Sequence, residues 1–547
     1  VNSQRKSTYW GKIQGEWGDF KATVSADYMK MGGVPVPIQI VAASPTVLAF
    51  LNNSVALGGN TIPVTNKPLF KYENYADPIP QRIVQKGVHL NLEYALNENL
   101  TVKAIGGLRA FRRDDTNNYG PSDLRGFASQ GATLPPVQRT WAGWYGFLDR
   151  FQDQHQKTVE LQLLGSYDTL NFVVGGFYFD EHIRDFGTTR LPFIISPTVA
   201  FDSVSYRDYT VDSKSKAVYA QVDWRPPILD EHLELTGGIR YTDDSRIFDQ
   251  VQAVVRRLEI KDDNVSYMLG ANYEFTDNIM AYVRYATGYR AGGYNARSTG
   301  SVDPEYDPEK IKSWEAGLKL EALDRRLRVN AAVFLNKNYD AQVAQFAAPT
   351  SSTGGGNVNV NANAEYKGFE IEATLVPVDG LTIAGSYGYV DPKYKSFPKL
   401  VTGGVISTGC VATDNAAIQD CAAIQLFQNL PKTKWDASMM YEFPPEDWGT
   451  FSVGVDYSFT GKTPGNLASV GVMFPTELDN RSYGLLGARM AVTEIPINDR
   501  VRGTLALYGR NITDRRYSTA SIDFTTGIGT QNFPERRTMG VEAKVEF

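Results

Sequence analysis

A chain of 547 residues is long enough for several soluble domains or one very large barrel. Its hydrophobic fraction of 42% and mean hydropathy of -0.30 are average for a water-soluble chain, and no run of about 18 apolar residues occurs, so no transmembrane helix is available, whereas alternating barrel strands escape that test. A net charge of -6 argues against nucleic acid as a partner.

The chain opens on Val1-Asn2-Ser3-Gln4, with no Met and no charged-then-apolar leader. Alternating segments then run from start to finish. They predict strands near 7–15, 20–29, 82–94, 100–112, 154–168, 170–185, 213–225, 233–245, 265–274, 279–289, 311–320, 328–340, 365–376, 381–389, 432–443, 449–460, 481–492, 502–511 and 537–547. That is about nineteen strands, each close to the ~10 residues that a tilted spanning strand needs. Trp314, Ala316, Leu318 and Leu320 share one face, with Glu315 and Lys319 opposite. At the C-terminus Met539, Val541, Ala543, Val545 and Phe547 alternate with polar or small residues, the pattern of a closing strand.

The connections alternate too. Short ones sit near 16–19, 96–99, 168–170, 226–232, 275–278, 322–327, 377–380, 444–448 and 493–500. Long ones fall at 30–81, 113–153, 186–212, 246–264, 290–310, 341–364, 390–431, 461–480 and 512–536. All long loops therefore leave from one rim, as in bacterial barrels, where the short turns are periplasmic. A β-propeller has no reason to alternate in this way. The prediction is an all-β chain forming a single large antiparallel transmembrane β-barrel over 1–547. The Gly/Asn-rich stretch 353–363 reads as a mobile loop inside it.

Three stretches carry a family resemblance. They are Tyr285-Ala-Thr-Gly-Tyr-Arg-Ala-Gly-Gly-Tyr-Asn295, Pro308-Glu-Lys-Ile-Lys-Ser-Trp-Glu-Ala-Gly-Leu-Lys319 and Asn511-Ile-Thr-Asp-Arg-Arg-Tyr517. In this order, with Phe547 last, they resemble the TonB-dependent outer-membrane receptors across essentially the whole chain. The resemblance implies an N-terminal plug followed by a 22-stranded barrel. Residues 1–29 already read as strand, turn and strand, so 8–15 would match the fourth strand. The chain is then expected to be the barrel without its plug and about three strands. The resemblance also implies location in a Gram-negative outer membrane and assembly by the barrel-assembly machinery. By the same resemblance lipid would surround the wall, and TonB would drive uptake of a scarce ligand through the plug. An iron chelate such as a ferric siderophore is the default ligand. A vitamin, nickel chelate or oligosaccharide is the alternative within the class, and a passive porin is the alternative outside it.

Candidate ligand contacts are the aromatic group Trp141, Trp144 and Tyr145, beside Phe147, in the loop 113–153, and Arg290 with Tyr294 at the outer rim. Arg290 would meet an anionic chelate or pair with a neighbouring acid. Gly288, Gly292 and Gly293 serve backbone geometry. The acidic run Asp303, Glu305, Asp307 and Glu309 lacks EF-hand spacing. His89, His155, His182 and His232 are scattered without metal-site spacing, and neither a nucleophile elbow nor a phosphate loop occurs. No catalytic residue, metal or cofactor is expected. Cys410 and Cys421 lie in one predicted extracellular loop, where a disulfide persists, and are expected to pair.

Overall fold

The computed structural model describes residues 4–33, 39–56, 63–67, 81–118, 127–128, 137–140, 147–251, 255–296, 305–347, 356–400, 406–416, 418–465, 478–523, 527–534 and 536–546. Nineteen long strands form one antiparallel sheet. They are β1 (Gln4–Trp17), β2 (Phe20–Gly33), β3 (Gln81–Asn97), β4 (Leu100–Asn118), β5 (Phe147–Ser166), β6 (Leu170–Ile194), β7 (Val199–Trp224), β8 (Leu233–Gln250), β9 (Arg256–Thr276) and β10 (Ile279–Arg290). The rest are β11 (Glu309–Ala322), β12 (Leu327–Ala347), β13 (Gly356–Val378), β14 (Leu381–Ser396), β15 (Thr433–Glu442), β16 (Thr450–Thr460), β17 (Tyr483–Pro496), β18 (Arg502–Arg510) and β19 (Thr538–Glu546). Each pairs with the next in chain order. Among the described residues β1 pairs only with β2, and β19 only with β18.

The period of two turns one face of each strand to lipid and the other to the lumen. In β5 the outward residues Val159 and Leu161 are each 57% exposed, and the inward Glu160 and Gln162 meet Tyr219 of β7. Trp314 and Leu318 of β11 face outward and Glu315 inward, where the Tyr282 hydroxyl donates to it at 2.9 Å. The lumen is lined by such pairs, including Arg109 with Asp27 at 3.2 Å and Thr236 with Asp223 at 2.7 Å. The apolar belt outside and the polar wall inside are what a hydrocarbon bilayer and a wet channel each require.

The strand count agrees with the sequence reading, but several ends do not. The expected loop 186–212 is the projecting hairpin of β6 and β7, 25 and 26 residues long. The expected loops 246–264 and 341–364 are likewise mostly strand. Beyond the bilayer both faces of a strand are wet, so the period-two apolar signal disappears. Backbone hydrogen bonding continues regardless. The stretch read as a mobile loop, 353–363, is strand from Gly356 onward. Its Asn-Val-Asn-Val-Asn-Ala-Asn has a period of two, with Val358 and Ala362 buried. Asn361 donates to the carbonyls of Asp307 and Asp340.

Above the long-loop rim a small cap joins distant parts of the chain. Gln39–Ala43, from the loop after β2, pairs antiparallel with Ile528–Asn532, which also pairs with Ala520–Asp523; both lie in the loop before β19. Loops from opposite ends of the sheet meet here, so the wall curls round on itself. The helix α1 (Pro45–Ala56) follows, started by Ser44, whose Oγ accepts from the Val47 amide at 3.3 Å, and by Pro45 in the first turn. Ile40, Val47, Phe50 and Leu51 pack with Ala200 of β7 into the cap's apolar core.

Candidate functional site

Beneath this cap lies a cavity of about 890 Å³, lined by Val41, Asn66, Lys67, Lys462, Asp479, Arg481, Arg516, Tyr517, Ser518, Gln531 and Phe533. Its size is that of a ligand pocket. Among the described residues four cationic side chains and one carboxylate line it, and Asp479 is bonded to Lys462 at 2.6 Å.

Each cation is placed by a buried polar group beside it. Gln39, 5% exposed, donates to the carbonyls of Thr65 and Lys67 and holds that short segment over the cavity. Thr463 and Asn480 exchange two backbone hydrogen bonds of 3.0 Å, which fixes Lys462 and Arg481 as neighbours on facing segments. Ser521 and Gln531 of the cap both donate to the Leu478 carbonyl, at 2.6 and 3.2 Å, and tie the cap to the segment that carries Asp479 and Arg481.

The third family-like stretch sets the remaining wall. Asn511 takes a left-handed φ of 47°, one that asparagine tolerates. Its side chain accepts from the Arg515 amide at 2.8 Å and donates to the Arg515 carbonyl at 2.9 Å, closing a tight turn. Asp514 binds the Arg536 guanidinium at the approach to β19. The turn delivers Arg516 and Tyr517 to the cavity, with Tyr517 stacked on Tyr483 at 4.1 Å. Several cations and two aromatic rings suit a large anionic ligand rich in oxygen.

Trp141, Trp144 and Tyr145 lie outside the described residues, as do Asp303 and Phe547. Arg290 sits at the rim with its side chain 64% exposed and its guanidinium 3.7 Å from Glu309. Tyr294 packs on Phe248 and donates to the Arg246 carbonyl at 3.2 Å. Burial holds its phenol well above the usual tyrosine range, and the charges of Glu305, Glu259 and Asp262 add to this. Neither Arg290 nor Tyr294 lines the cavity. The small residues between them are a structural hub. Ala291 and Gly292 carbonyls accept from Arg246, and a Cβ on Gly292 would stand 2.6 Å from the Tyr306 carbonyl oxygen. Glu309 accepts from Asn338 and from the Gln342 amide. Cys410 and Cys421 are bonded to each other in a cap of three short strands, where Cys421 and Phe397 are fully buried.

Sequence reasoning reached Arg516 and Tyr517 only as part of a family-like stretch and missed Lys67, Lys462 and Arg481. Those three stand in loops without periodicity, and only the cap gathers them.

An antiparallel wall of nineteen strands, apolar outside and polar inside, with its long connections on one rim, defines an outer-membrane β-barrel. Residues 43–512 match the family model described as TonB dependent receptor-like, beta-barrel, and the chain belongs to that family. It is a family of transport receptors of the Gram-negative outer membrane. The curated "Probable TonB-dependent siderophore receptor PiuA" of Acinetobacter baumannii is 23% identical over 423 residues, which are 70% of this chain and 52% of that protein. The chain thus spans about half the length of that relative. The crystal structure of the A. baumannii siderophore receptor PiuA aligns with a TM-score of 0.70 at 17% identity, covering 99% of this chain and 74% of that one. The crystal structure of the ferric yersiniabactin uptake receptor FyuA from Yersinia pestis aligns with a TM-score of 0.68 at 16% identity, covering 100% and 71%.

Proposed function

We propose that this chain forms the wall and outer loops of a TonB-energised receptor that takes up a large anionic iron chelate of the ferric siderophore class. The cavity of Lys67, Lys462, Arg481 and Arg516 with Tyr517 and Phe533 carries the reading, because its charge and size suit such a ligand. The names of the relatives, a siderophore receptor and a ferric yersiniabactin uptake receptor, point the same way. In this reading the whole receptor has a plug and about three further strands ahead of β1. The plug gates the lumen and contacts TonB, no chemistry is done on the ligand, and the barrel-assembly machinery inserts the wall. Trp141, Trp144 and Tyr145 are outer aromatic contacts, Arg290 is an outer charge contact, and Tyr294 steadies its loop.

The test is equilibrium binding, followed by tyrosine and tryptophan fluorescence, of ferric catecholate, hydroxamate and carboxylate chelates to the whole receptor. Replacing both Arg481 and Arg516 by Gln should weaken at least one anionic chelate on the order of 10–100-fold, from two charge-assisted contacts of about 1.5–3 kcal/mol, partly screened by solvent. Tight binding of a neutral vitamin or oligosaccharide, unchanged in that variant, would replace the iron-chelate reading. Uptake that persists without TonB would favour a passive porin.

A further inference from the structure

The outward face of β11 to β14 carries a patch that the transport reading does not use. At the long-loop edge of the apolar belt, Lys310, Lys312, Lys337, Lys367, Lys393 and Lys395 are all exposed. The register lays them side by side. Lys312 stands directly opposite Lys337, Lys337 opposite Glu365, and Lys367 opposite Asp391. Two residues further down the same face come Trp314 and then the apolar wall, with Val333, Ile371 and Tyr387 exposed towards lipid.

Six lysines share this face with two carboxylates, although the whole chain has a net charge of -6. Both carboxylates are already used. Glu365 is held by Lys367 at 3.1 Å and Lys395 at 3.5 Å, and Asp391 by Lys393 at 3.2 Å and Lys432 at 2.6 Å. No ion pair is recorded among the described residues for Lys310, Lys312 or Lys337. Lys312 instead places its ammonium 5.2 Å over the ring of Tyr339. Like charges directly opposite across a sheet destabilise it unless an anion lies between them. Elsewhere the same belt is balanced, with Arg112 beside Asp114, Arg184 beside Asp208 and Lys261 beside Glu259.

We propose that this patch binds the phosphate groups of a phosphorylated glycolipid in the outer leaflet. Position and charge both select that occupant. Four strands at about 4.8 Å spacing present ammonium groups across roughly 14 Å, wide enough for more than one phosphate on a headgroup. The acyl chains of the same molecule would lie against the belt below. Lys312 and Lys337 share one phosphate, and Lys310 and Lys367 flank it.

The test uses the receptor purified from outer membranes in mild detergent, with bisphosphorylated lipid A and its phosphate-free form as probes, bound lipid being read by native mass spectrometry. The wild-type receptor should retain the bisphosphorylated lipid and release it as salt is raised. Lys310→Gln, Lys312→Gln and Lys337→Gln together should weaken retention on the order of a hundredfold, at about fivefold per lysine near an anionic surface. The phosphate-free lipid should not distinguish the two proteins. Arg184→Gln with Lys261→Gln, in the balanced part of the belt, should retain lipid A within about twofold of the wild-type receptor. Replacing the same three lysines by Arg should keep retention and guards against misfolding, with heat-modifiable mobility confirming the barrel. Equal retention of both lipids, or wild-type retention by the triple Gln variant, would overturn the proposal. So would displacement of lipid A by millimolar inorganic phosphate, which would mark a surface anion sink only.

Discussion

Thr463 and Asn480 form a closed clasp. Their backbones exchange two hydrogen bonds, the Asn480 amide donates to the Thr463 hydroxyl at 3.2 Å, and both residues are almost fully buried. The clasp sits between β16 and β17, and each partner is the chain neighbour of a cavity cation. Asn480 also accepts from Ser521 at 3.2 Å, which ties it to the cap. Asn480→Ala leaves the Thr463 and Ser521 hydroxyls without these partners, a cost of about 1–3 kcal/mol. Hydrogen exchange should quicken in 461–465 and 478–482, and chelate binding should weaken. Heat-modifiable mobility should hold, because the wall ladder is untouched. Unchanged exchange in both segments would refute the clasp.

Asp479 and Lys462 make opposite predictions for the cavity. Asp479→Asn removes the carboxylate bonded to Lys462, so an anionic chelate should bind about three- to tenfold more tightly at low salt, with the gain fading as salt screens it. Lys462→Gln removes a cation and leaves Asp479 charged, so binding should fall by at least as much. Titrations of the two variants at low and high salt decide the matter. A ligand indifferent to both is bound elsewhere.

The bond between Cys410 and Cys421 closes a short loop with a sequence separation of 11. Chain-entropy reasoning gives about 3 kcal/mol for a loop of this size. The Cys421 amide donates to the Phe397 carbonyl at 2.9 Å, so reduction should open exchange around 397–400 and 418–421. The barrel should remain heat-stable, since its wall is held by its own ladder. Non-reducing mass spectrometry of the peptide spanning 410–421 should show the mass of the bonded form, and two free thiols on freshly purified membranes would contradict it.

Tyr294 should resist alkali. Its folded pKa is raised above the ordinary value of 10.0, so the neutral phenol is the form the loop stabilises. That contribution is complete below pH 10 and is lost as the pH climbs through the raised folded value. In alkaline difference spectra Tyr294→Phe should remove one phenol from the late-titrating component and none from the component near pH 10. Loss from the early component would place Tyr294 in open solvent.

The wall was legible because its physics is local. A strand in lipid must alternate, and its turns on one rim must be short, so Val159 and Leu161, Trp314 and Leu318, Met539 and Val541 announce their faces by spacing alone. The three family-like stretches proved to be structural devices as well: Asn511 closes a turn, Gly292 lets the Tyr306 backbone approach, and Glu309 gathers Arg290, Asn338 and Gln342. Outside the bilayer the apolar contrast faded along β6 and β7, so their lengths were hidden, and the period of two in 357–363 was hidden by the Gly/Asn-rich composition of its stretch. The cavity was hidden more deeply. Lys67, Lys462, Arg481 and Arg516 come from three loops, the first of them hundreds of residues from the other two in the chain, and the curl of the sheet brings those loops together. The spacing along single strands determined the barrel. The register between strands set Lys312 against Lys337, and closure of the cap between Gln39–Ala43 and Ile528–Asn532 decided where the cations meet.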